Sequence, residues 1–338
     1  MDLSAYGFTP LTIEHKPLID SILNRQDTML SAYSFTSHYI WRDHFNFHWG
    51  IINGYFCLFA QYGDYVYMPV PPVLSKNTVH PCHSELVSES PSYETLKQVQ
   101  GDVLSPLPGV CHLPSILSDL FNIMDNINNN KSVSRIENID ESWIESFASA
   151  GYTIKSGEPE YVYLRNDLSN LKGNAYKSKR AMCNYFEKHY RYRYEPFDTG
   201  RAAQCIELYN SWRQCRTEKV SDYFYNAMLE DSLPAHREAI NNYKTLELTG
   251  RIVIIDNRVE GYIFGFERNK DGFYILLEVA NPGIKGLAQF IFREFCKEKE
   301  GYRYVNTLGD SGLESLRTVK QSYRPFCLAT AFTAYMMG

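Results

Sequence analysis

The sequence predicts an α/β protein made of two units that repeat the same order of elements. Each half of the chain holds a three-stranded antiparallel meander, accompanied by alternating helices and strands. The halves share this order but not their residues, which indicates a repeat of architecture rather than of sequence. A chain of 338 residues has room for two domains of ~170 residues. We therefore expect an N-terminal domain at residues 1–165 and a C-terminal domain at 166–338.

The first meander is predicted from short apolar stretches joined by tight turns. The turns Asn53-Gly54 and Gly63-Asp64 are strong hairpin signals. The elements expected in this unit are strands at 47–52, 55–59 and 65–68, a helix at about 114–127, a strand at 132–136, a helix from Asp140 to Gly151, and a strand through 161–164.

The second unit is predicted in the same way, with turns at Asp256-Asn257 and Asp271-Gly272. Its expected elements are helices at about 176–189, 200–214, 223–243, 287–299 and 313–321, and strands at 192–196, 251–255, 261–266, 273–279, 302–306 and 326–332. Ser311 and Glu314 form a predicted capping box for the last helix.

Residues from about 80 to 102 interrupt this pattern with a polar, Ser- and Glu-rich stretch. The stretch resembles the translated form of a short repeat element, and we expect a surface excursion without a chemical role. The His and Cys residues in and near it match no structural zinc spacing, so no metal site is predicted. These residues are His80, Cys82, His83, Cys111 and His112.

Composition excludes several classes of protein. The net charge of −5 argues against a chain built as a whole to coat nucleic acid or an anionic membrane. No apolar run approaches the ~18–20 residues of a membrane helix, and the N-terminus has no signal-peptide pattern. The eight cysteines are scattered without a C-x-x-C pair. We therefore expect a cytoplasmic protein with reduced thiols and no integral membrane association.

One segment is strongly basic. Seven basic residues and one acid between Lys172 and Arg193 give this segment +6, which leaves −11 for the rest of the chain. At 100° per residue, four polar side chains of its predicted helix share one face: Lys177, Arg180, Asn184 and Lys188. Such a row of cations and an amide suits phosphate groups. The alternative is an ordinary solvated helix face.

The stretch Asn281–Ala288 joins a buried strand to a helix and contains two glycines. Backbone N–H groups at such a turn, together with the helix N-terminus, can bind a pyrophosphate. Gly283 to Ala288 resembles the donor loop of the GNAT acyltransferases, except that glycine replaces the expected Arg or Gln. An ordinary tight turn between strand and helix is the alternative.

Further polar residues stand out near the predicted sheet. Glu278 interrupts an apolar strand and could act as a general base, or it could face outward by the normal alternation of a strand. Arg317 and Lys320 share one helix face and could hold an anionic group together. The alternative assigns Asp310 to capping and both cations to salt bridges.

With these residues in view, the chain resembles the bacterial family named for the C-terminal domain of phosphatidylglycerol lysyltransferase. The resemblance covers nearly the whole chain apart from the polar stretch. It rests on Ser34–Arg42, Arg135–Asp140, Glu160–Leu168, Lys172–Phe186, Glu278, Lys285-Gly286, and the pattern from Asn306 through Asp310, Arg317, Lys320 and Tyr323 to Pro325.

The resemblance implies a tandem GNAT-like fold, with two mixed, largely antiparallel sheets flanked by helices. It also implies an aminoacyl- or acyltransferase whose donor is aminoacyl-tRNA or acyl-CoA, with no tightly bound cofactor, an amine or hydroxyl acceptor, and room for peripheral lipid contact. The implied catalytic residues are Glu278, Asn306 and Asp310. The implied donor-loop residues are Gly283, Lys285, Gly286, Leu287 and Ala288. The implied substrate-binding residues are Lys177, Arg180, Asn184, Lys188, Arg317, Lys320 and Tyr323.

The chain departs from the family pattern in two places. Val279 follows Glu278 where the family usually has Lys, and Thr307-Leu308-Gly309 replaces an Arg and two carboxylates. The membrane domain that precedes the lysyltransferase module is not in this sequence. The alternative function is therefore a non-catalytic protein that keeps a polyanion-binding site for RNA or a nucleotide.

Overall fold

The computed structural model describes residues 2–75, 113–219 and 222–336. The predicted excursion at about 80–102 and the five His and Cys residues named with it lie outside these ranges. No helix among the described residues has the length and apolar character needed to cross a membrane.

The described α-helices lie close to the predicted positions, except for four that were not predicted, at residues 16–23, 35–39, 42–45 and 165–170. The full set in chain order is α1 (Lys16–Leu23), α2 (Phe35–Tyr39), α3 (Arg42–Phe45), α4 (Leu113–Asn128), α5 (Ile144–Ser149), α6 (Arg165–Asn170), α7 (Lys177–His189), α8 (Ala202–Thr217), α9 (Tyr223–Asn241), α10 (Leu287–Lys297) and α11 (Glu314–Gln321). The start of α11 differs from the prediction. Ser311 adopts a positive φ of 52° and Leu313 is the N-cap without a side-chain cap, so the predicted capping box is wrong.

The described strands form two sheets. They are β1 (Thr9–Pro10), β2 (Phe47–Ile52), β3 (Tyr55–Tyr62), β4 (Tyr65–Tyr67), β5 (Val73–Leu74), β6 (Arg135–Ile139), β7 (Tyr152–Leu164), β8 (Arg193–Pro196), β9 (Thr249–Ile255), β10 (Arg258–Asn269), β11 (Gly272–Ala280), β12 (Tyr304–Asn306) and β13 (Cys327–Met336).

The small sheet has the order β1-β2-β3-β4, with β5 also paired to β3, and the large sheet has the order β6-β13-β7-β12-β11-β10-β9-β8. All named pairs are antiparallel except β11 and β12, which are parallel. The predicted fold class, with two mixed, largely antiparallel sheets flanked by helices, is confirmed.

Both meanders form where the turn residues predict them. Asn53 and Gly54 have φ values of 50° and 83°, and Asp256 and Asn257 have 48° and 64°. Two consecutive positive φ angles match the right-handed twist of the flanking strands in a two-residue hairpin.

The large sheet contains strands from both sides of the predicted domain boundary at 165. The last strand, β13, lies between β6 and β7, and β12 pairs with the other edge of β7. The sheet pairing therefore continues across residue 165. The division into domains at residues 1–165 and 166–338 stays a prediction.

Helices cover both faces of the large sheet. On one face, which we call the α10 face, side chains from α6, α7 and α10 pack with Ile263, Phe273 and Val305. On the opposite face, side chains from α8 and α9 share a core with the N-terminal helices and one face of the small sheet. A third core lies between the small sheet, α4 and α5.

Candidate functional site

A gap opens in the large sheet beside the second half of β11. The parallel pairing joins Gly272, Phe273 and Tyr274 to the three residues of β12, which end at Asn306. β11 continues to Ala280, and its register against β10 shifts just after the paired segment. Within the described chain, β11 beyond Tyr274 has a strand partner only on the β10 side. The chain after Asn306 instead follows β7, since Thr307 N–H donates to Tyr161 O and Tyr161 N–H donates to Leu308 O.

Glu278 faces this gap from the α10 face. Its Cα pairs with that of Ile263, whose side chain lies in the core on that face, and directly paired residues point to the same side of a sheet. The residue is exposed to solvent, yet desolvation by the surrounding protein raises the pKa of Glu278 to about 7, against the opposing field of Lys320. The two observations agree if protein surrounds the carboxylate on several sides and water reaches it from the remaining one. This carboxylate can change protonation near neutral pH.

Lys320 extends from α11 toward the same gap. Its Nζ donates to Thr307 O, to Thr307 Oγ1 at 3.2 Å and to Leu308 O at 3.3 Å. Burial lowers the pKa of Lys320 to about 8, although the carboxylates of Glu278, Glu160 and Asp310 oppose this shift. The ammonium is therefore held by backbone carbonyls and lies within the field of three carboxylates.

Asn306 points to the opposite face of the sheet from Glu278. Its side chain is 2% exposed, and its Nδ2 donates to Glu160 Oε2 at 2.7 Å and to Met29 O at 2.8 Å. Its Oδ1 accepts from Leu308 N–H at 2.7 Å. Protein groups therefore occupy both ends of this amide.

Asp310 and Arg317 bind each other. Asp310 is 1% exposed, and its carboxylate accepts from Arg317 Nε at 2.9 Å, Tyr161 Oη at 2.6 Å and Gly312 N–H at 3.1 Å. Burial alone would raise the pKa of Asp310, but these hydrogen bonds outweigh it and hold the pKa below its ordinary value. Arg317 also contacts Glu314 at 3.4 Å. Arg317 and Lys320 thus have different partners in this structure.

Tyr323 packs at the base of the site. Its ring lies 4.9 Å from that of Phe292, and Lys179 Nζ lies 4.3 Å above it. Its backbone carbonyl accepts from Tyr176 Oη at 3.0 Å. Tyr323 is 8% exposed, so most of its ring is buried under α7 and α10.

The loop after β11 carries the residues predicted to bind a donor. Asn281 organises it: Oδ1 accepts from Gly283 N–H at 2.9 Å, and its backbone carbonyl accepts from Ile284 N–H at 3.1 Å. Leu287 is buried and its N–H donates to Ile284 O at 3.3 Å, while Ala288 is half-buried in the first turn of α10. The N–H of Gly283 is therefore already used, and the anion-binding potential of this segment rests on the start of α10.

Gly286 fixes the loop against the basic helix. It is the N-cap of α10, with a φ of +87°, and a Cβ at this position would lie 2.1 Å from Met182 O of α7. Only glycine fits such a contact in this conformation. The neighbouring Lys285 places its Nζ 4.5 Å above the ring of Tyr185, which stacks on His189. The loop and α7 therefore form one continuous surface.

The predicted row on α7 is only partly available for ligands. Lys177, Asn184 and Lys188 are exposed. The guanidinium of Arg180 instead donates to Leu171 O and, at 2.7 Å, to Gly173 O. Arg180 therefore closes the end of α6 rather than standing free on the helix face.

The structure thus gathers the predicted residues into two groups. Glu278 and Lys320 lie at the gap, and Asp310, bound to Arg317, lies within the field of Lys320. Lys177, Asn184, Lys188 and Lys285 lie on the surface of α7 and the loop. An open groove of about 870 Å³ between α8 and α9 includes none of these residues.

Two residues that bind the predicted ones were not themselves predicted as site residues. Glu160 accepts from Asn306, and Thr307 accepts from Lys320. A signal for Glu160 exists in the sequence, since it is a carboxylate beside the apolar run Tyr161–Leu164 of a strand. Thr307 gives no such signal.

Comparison with solved structures shows the same fold in proteins of low sequence identity. A conserved protein of unknown function from Bacteroides thetaiotaomicron VPI-5482 is 21% identical with a TM-score of 0.77, covering 98% of this chain and 99% of that one. The C-terminal domain of a putative lysylphosphatidylglycerol synthetase from Agrobacterium fabrum is 11% identical with a TM-score of 0.58, covering 96% and 92%. L-PGS from Bacillus licheniformis is 13% identical with a TM-score of 0.57, covering 94% and 90%. No curated protein matches the chain.

Residues 110–335 match the family described as phosphatidylglycerol lysyltransferase, C-terminal. The match spans more than half of the chain and confirms the resemblance found in the sequence. This protein therefore belongs to the phosphatidylglycerol lysyltransferase C-terminal family.

Proposed function

We propose that this protein is an aminoacyl- or acyltransferase in which Glu278 is the general base. The observation that carries the proposal is the position of Glu278, a water-accessible carboxylate in the gap beside β11. Its pKa of about 7 suits a base that accepts a proton near neutral pH.

In the proposed reaction, an amine or hydroxyl of the acceptor attacks the carbonyl carbon of an activated ester or thioester. The new C–N or C–O bond forms as the bond to the tRNA 3′ oxygen or the CoA sulfur breaks. Glu278 takes the acceptor's proton and then gives it to the departing oxygen or sulfur. Lys320 supplies positive charge near the gap, where negative charge develops on the carbonyl oxygen.

The donor is proposed to lie along α7 and the loop into α10, with Gly283–Ala288 beneath its phosphates. Exposed Lys177 and Lys188 on α7, together with exposed Lys285 on the loop, support this placement because they add positive charge to this surface. Asn184 lies on the same exposed face. Arg180 contributes by closing the end of α6. The donor is either aminoacyl-tRNA or acyl-CoA, since both present phosphates next to an activated carbonyl.

Arg317 and Tyr323 are proposed to act at the acceptor side of the gap. Arg317 is partly exposed while it holds Asp310, so its remaining N–H groups can contact an anionic acceptor, including a lipid phosphate at a membrane surface. Tyr323 would form the base of this side by packing rather than by direct chemistry.

The alternative is a protein that binds a polyanion on α7 without catalysis. The saturated contacts of Asn306 and Asp310 favour it, because two of the three predicted catalytic residues have their polar atoms occupied by protein groups. A cytoplasmic, soluble setting is compatible with either function.

The deciding experiment measures transfer of labelled acyl groups from a panel of charged tRNAs and from acetyl-CoA. We expect Glu278→Gln to lower turnover by about 10²–10⁴-fold and the exposed control Glu300→Gln to leave it unchanged. Binding of tRNA or CoA without turnover, with equal affinity in both variants, would support the non-catalytic alternative.

A further inference from the structure

We propose that Glu160, together with Ser31, is a positioning residue for the turn at Thr307 and Leu308. The backbone carbonyls of this turn accept hydrogen bonds from the Lys320 ammonium. This inference rests on the proposed function only for what Lys320 does in the reaction. The positioning itself follows from a continuous series of hydrogen bonds that crosses the sheet from the N-terminal part of the chain to the gap.

The series begins at a buried carboxylate with no cation in contact. Glu160 is 8% exposed, and its oxygens accept from Ser31 N–H at 3.0 and 3.1 Å, Ser31 Oγ at 2.6 Å and Asn306 Nδ2 at 2.7 Å. The ion pairs of the described residues do not include Glu160. A carboxylate buried without an ion pair is costly unless several donors stabilise it. Here Ser31 and Asn306 supply those donors.

The second step is the orientation of Asn306. Its Nδ2 lies between two acceptors, Glu160 Oε2 and Met29 O. Turning the amide over would place its oxygen against both of them, so the carboxylate selects one orientation. In that orientation Oδ1 faces Leu308 N–H at 2.7 Å.

The third step is a strained turn. Leu308 has a φ of +63°, a left-handed conformation that is uncommon for a residue other than glycine and that persists only where its surroundings hold it. The bond from its N–H to Asn306 provides such a restraint. In this turn Thr307 O and Leu308 O both point at Lys320 Nζ. The backbone of this turn also pairs with Tyr161 of β7. The series from Glu160 through Asn306 therefore adds a side-chain restraint on the carbonyls that hold the ammonium.

Amide hydrogen exchange of the segment 305–312 tests the proposal without a substrate. Glu160→Gln places an NH₂ group against the N–H of Ser31 or the amide of Asn306, and Ser31→Ala removes one donor while keeping the fold's backbone bonds. We expect about tenfold faster exchange of this segment in Glu160→Gln and a smaller increase in Ser31→Ala. Glu145→Gln, an exposed carboxylate on α5, should leave exchange at its original rate.

A purely structural role would instead raise exchange throughout the protein. An equal increase in peptides covering β2–β4, or no increase in 305–312, would therefore overturn the proposal. Because Ser31→Ala is a mild change, it decides the question even if Glu160→Gln does not fold.

Turnover separates this inference from the proposed function. If the protein is a transferase, Glu160→Gln should lower kcat about tenfold with little change in KM. If exchange responds as expected but Glu278→Gln does not affect transfer, the positioning series stands and the proposed base is wrong.

Discussion

The exposed surface of α7 and the segment from Asn306 to Tyr323 are both rich in polar and charged groups, but they use them in opposite ways. Lys177 and Lys188 point to solvent. In the second region, Asp310 binds Arg317, Asn306 binds Glu160, and Lys320 binds backbone carbonyls. The comparison teaches that a high density of charge in a sequence does not tell which groups remain available to a ligand.

The largest expected effect concerns the contact between α7 and the loop that precedes α10. Gly286→Ala would add a Cβ against Met182 O in a positive-φ conformation. We expect a loss of about 2–4 kcal/mol in the free energy of unfolding, measured by urea denaturation. Gly301→Ala is the matched control, because no atom lies within 4 Å of its added Cβ. Equal stability of the two variants would mean that α7 moves freely away from the loop.

The second prediction concerns the segment from Asn306 to Tyr323, whose polar groups bind other groups of the protein. Asp310→Asn removes a buried carboxylate that accepts three hydrogen bonds, and we expect a loss of about 1–3 kcal/mol of stability at pH 7. Because the pKa of Asp310 lies below its ordinary value, its contribution is present above that value and is lost only as pH falls through the lowered pKa. The difference from wild type should therefore be constant from pH 5 to 8. Asp119→Asn, an exposed change on α4, should have little effect.

The third prediction concerns the availability of the exposed cations. Reversing Lys177 and Lys188 to Glu should weaken binding of tRNA by about one to two orders of magnitude and reduce the slope of log affinity against log salt by about one for each lysine that contacts a phosphate. Lys131→Glu, in the exposed turn after α4, should leave the slope unchanged. A double variant with the wild-type slope would remove α7 from the proposed donor site.

The smallest expected effect is on the pH dependence of transfer. Glu278 must be deprotonated to act as base, so the rate should rise about tenfold per pH unit below its pKa and level off near pH 7. The rate should fall again above about 8, where Lys320 loses its charge, and the apparent values belong to the interacting pair. In Glu278→Gln the acidic limb should disappear. A limb that persists in this variant would assign it to another group.

The sequence predicted the elements that depend on local signals. Asn53-Gly54 and Asp256-Asn257 determine their hairpins through the conformations that these residues adopt readily. The pairing of β13 with β6 and β7 was not predicted, because it joins residues nearly two hundred positions apart and no local pattern encodes it. The length of β7 was also missed, since Gly157 and Pro159 interrupt its alternation.

For the site residues too, the sequence predicted local features but not the contacts between distant segments. Glu278 was identifiable as a carboxylate in an apolar strand, and Gly286 as a glycine at a strand–helix turn. The face on which Asn306 lies, the partner of Arg180 and the role of Glu160 depend on contacts between distant segments. Each of these polar groups has several candidate partners in the sequence, and only the packed sheet selects one.

The placement of β13 also has a consequence for biosynthesis. β6 and β7 are complete at residue 164, yet their common neighbour consists of residues 327–336. During translation the large sheet therefore stays open, with one edge of β6 and one edge of β7 unpaired, until residues 327–336 have left the ribosome. Because β13 pairs with β6 and β7 only then, we expect the large sheet to fold slowly. We also expect chaperones to bind the nascent chain while the strand edges are exposed.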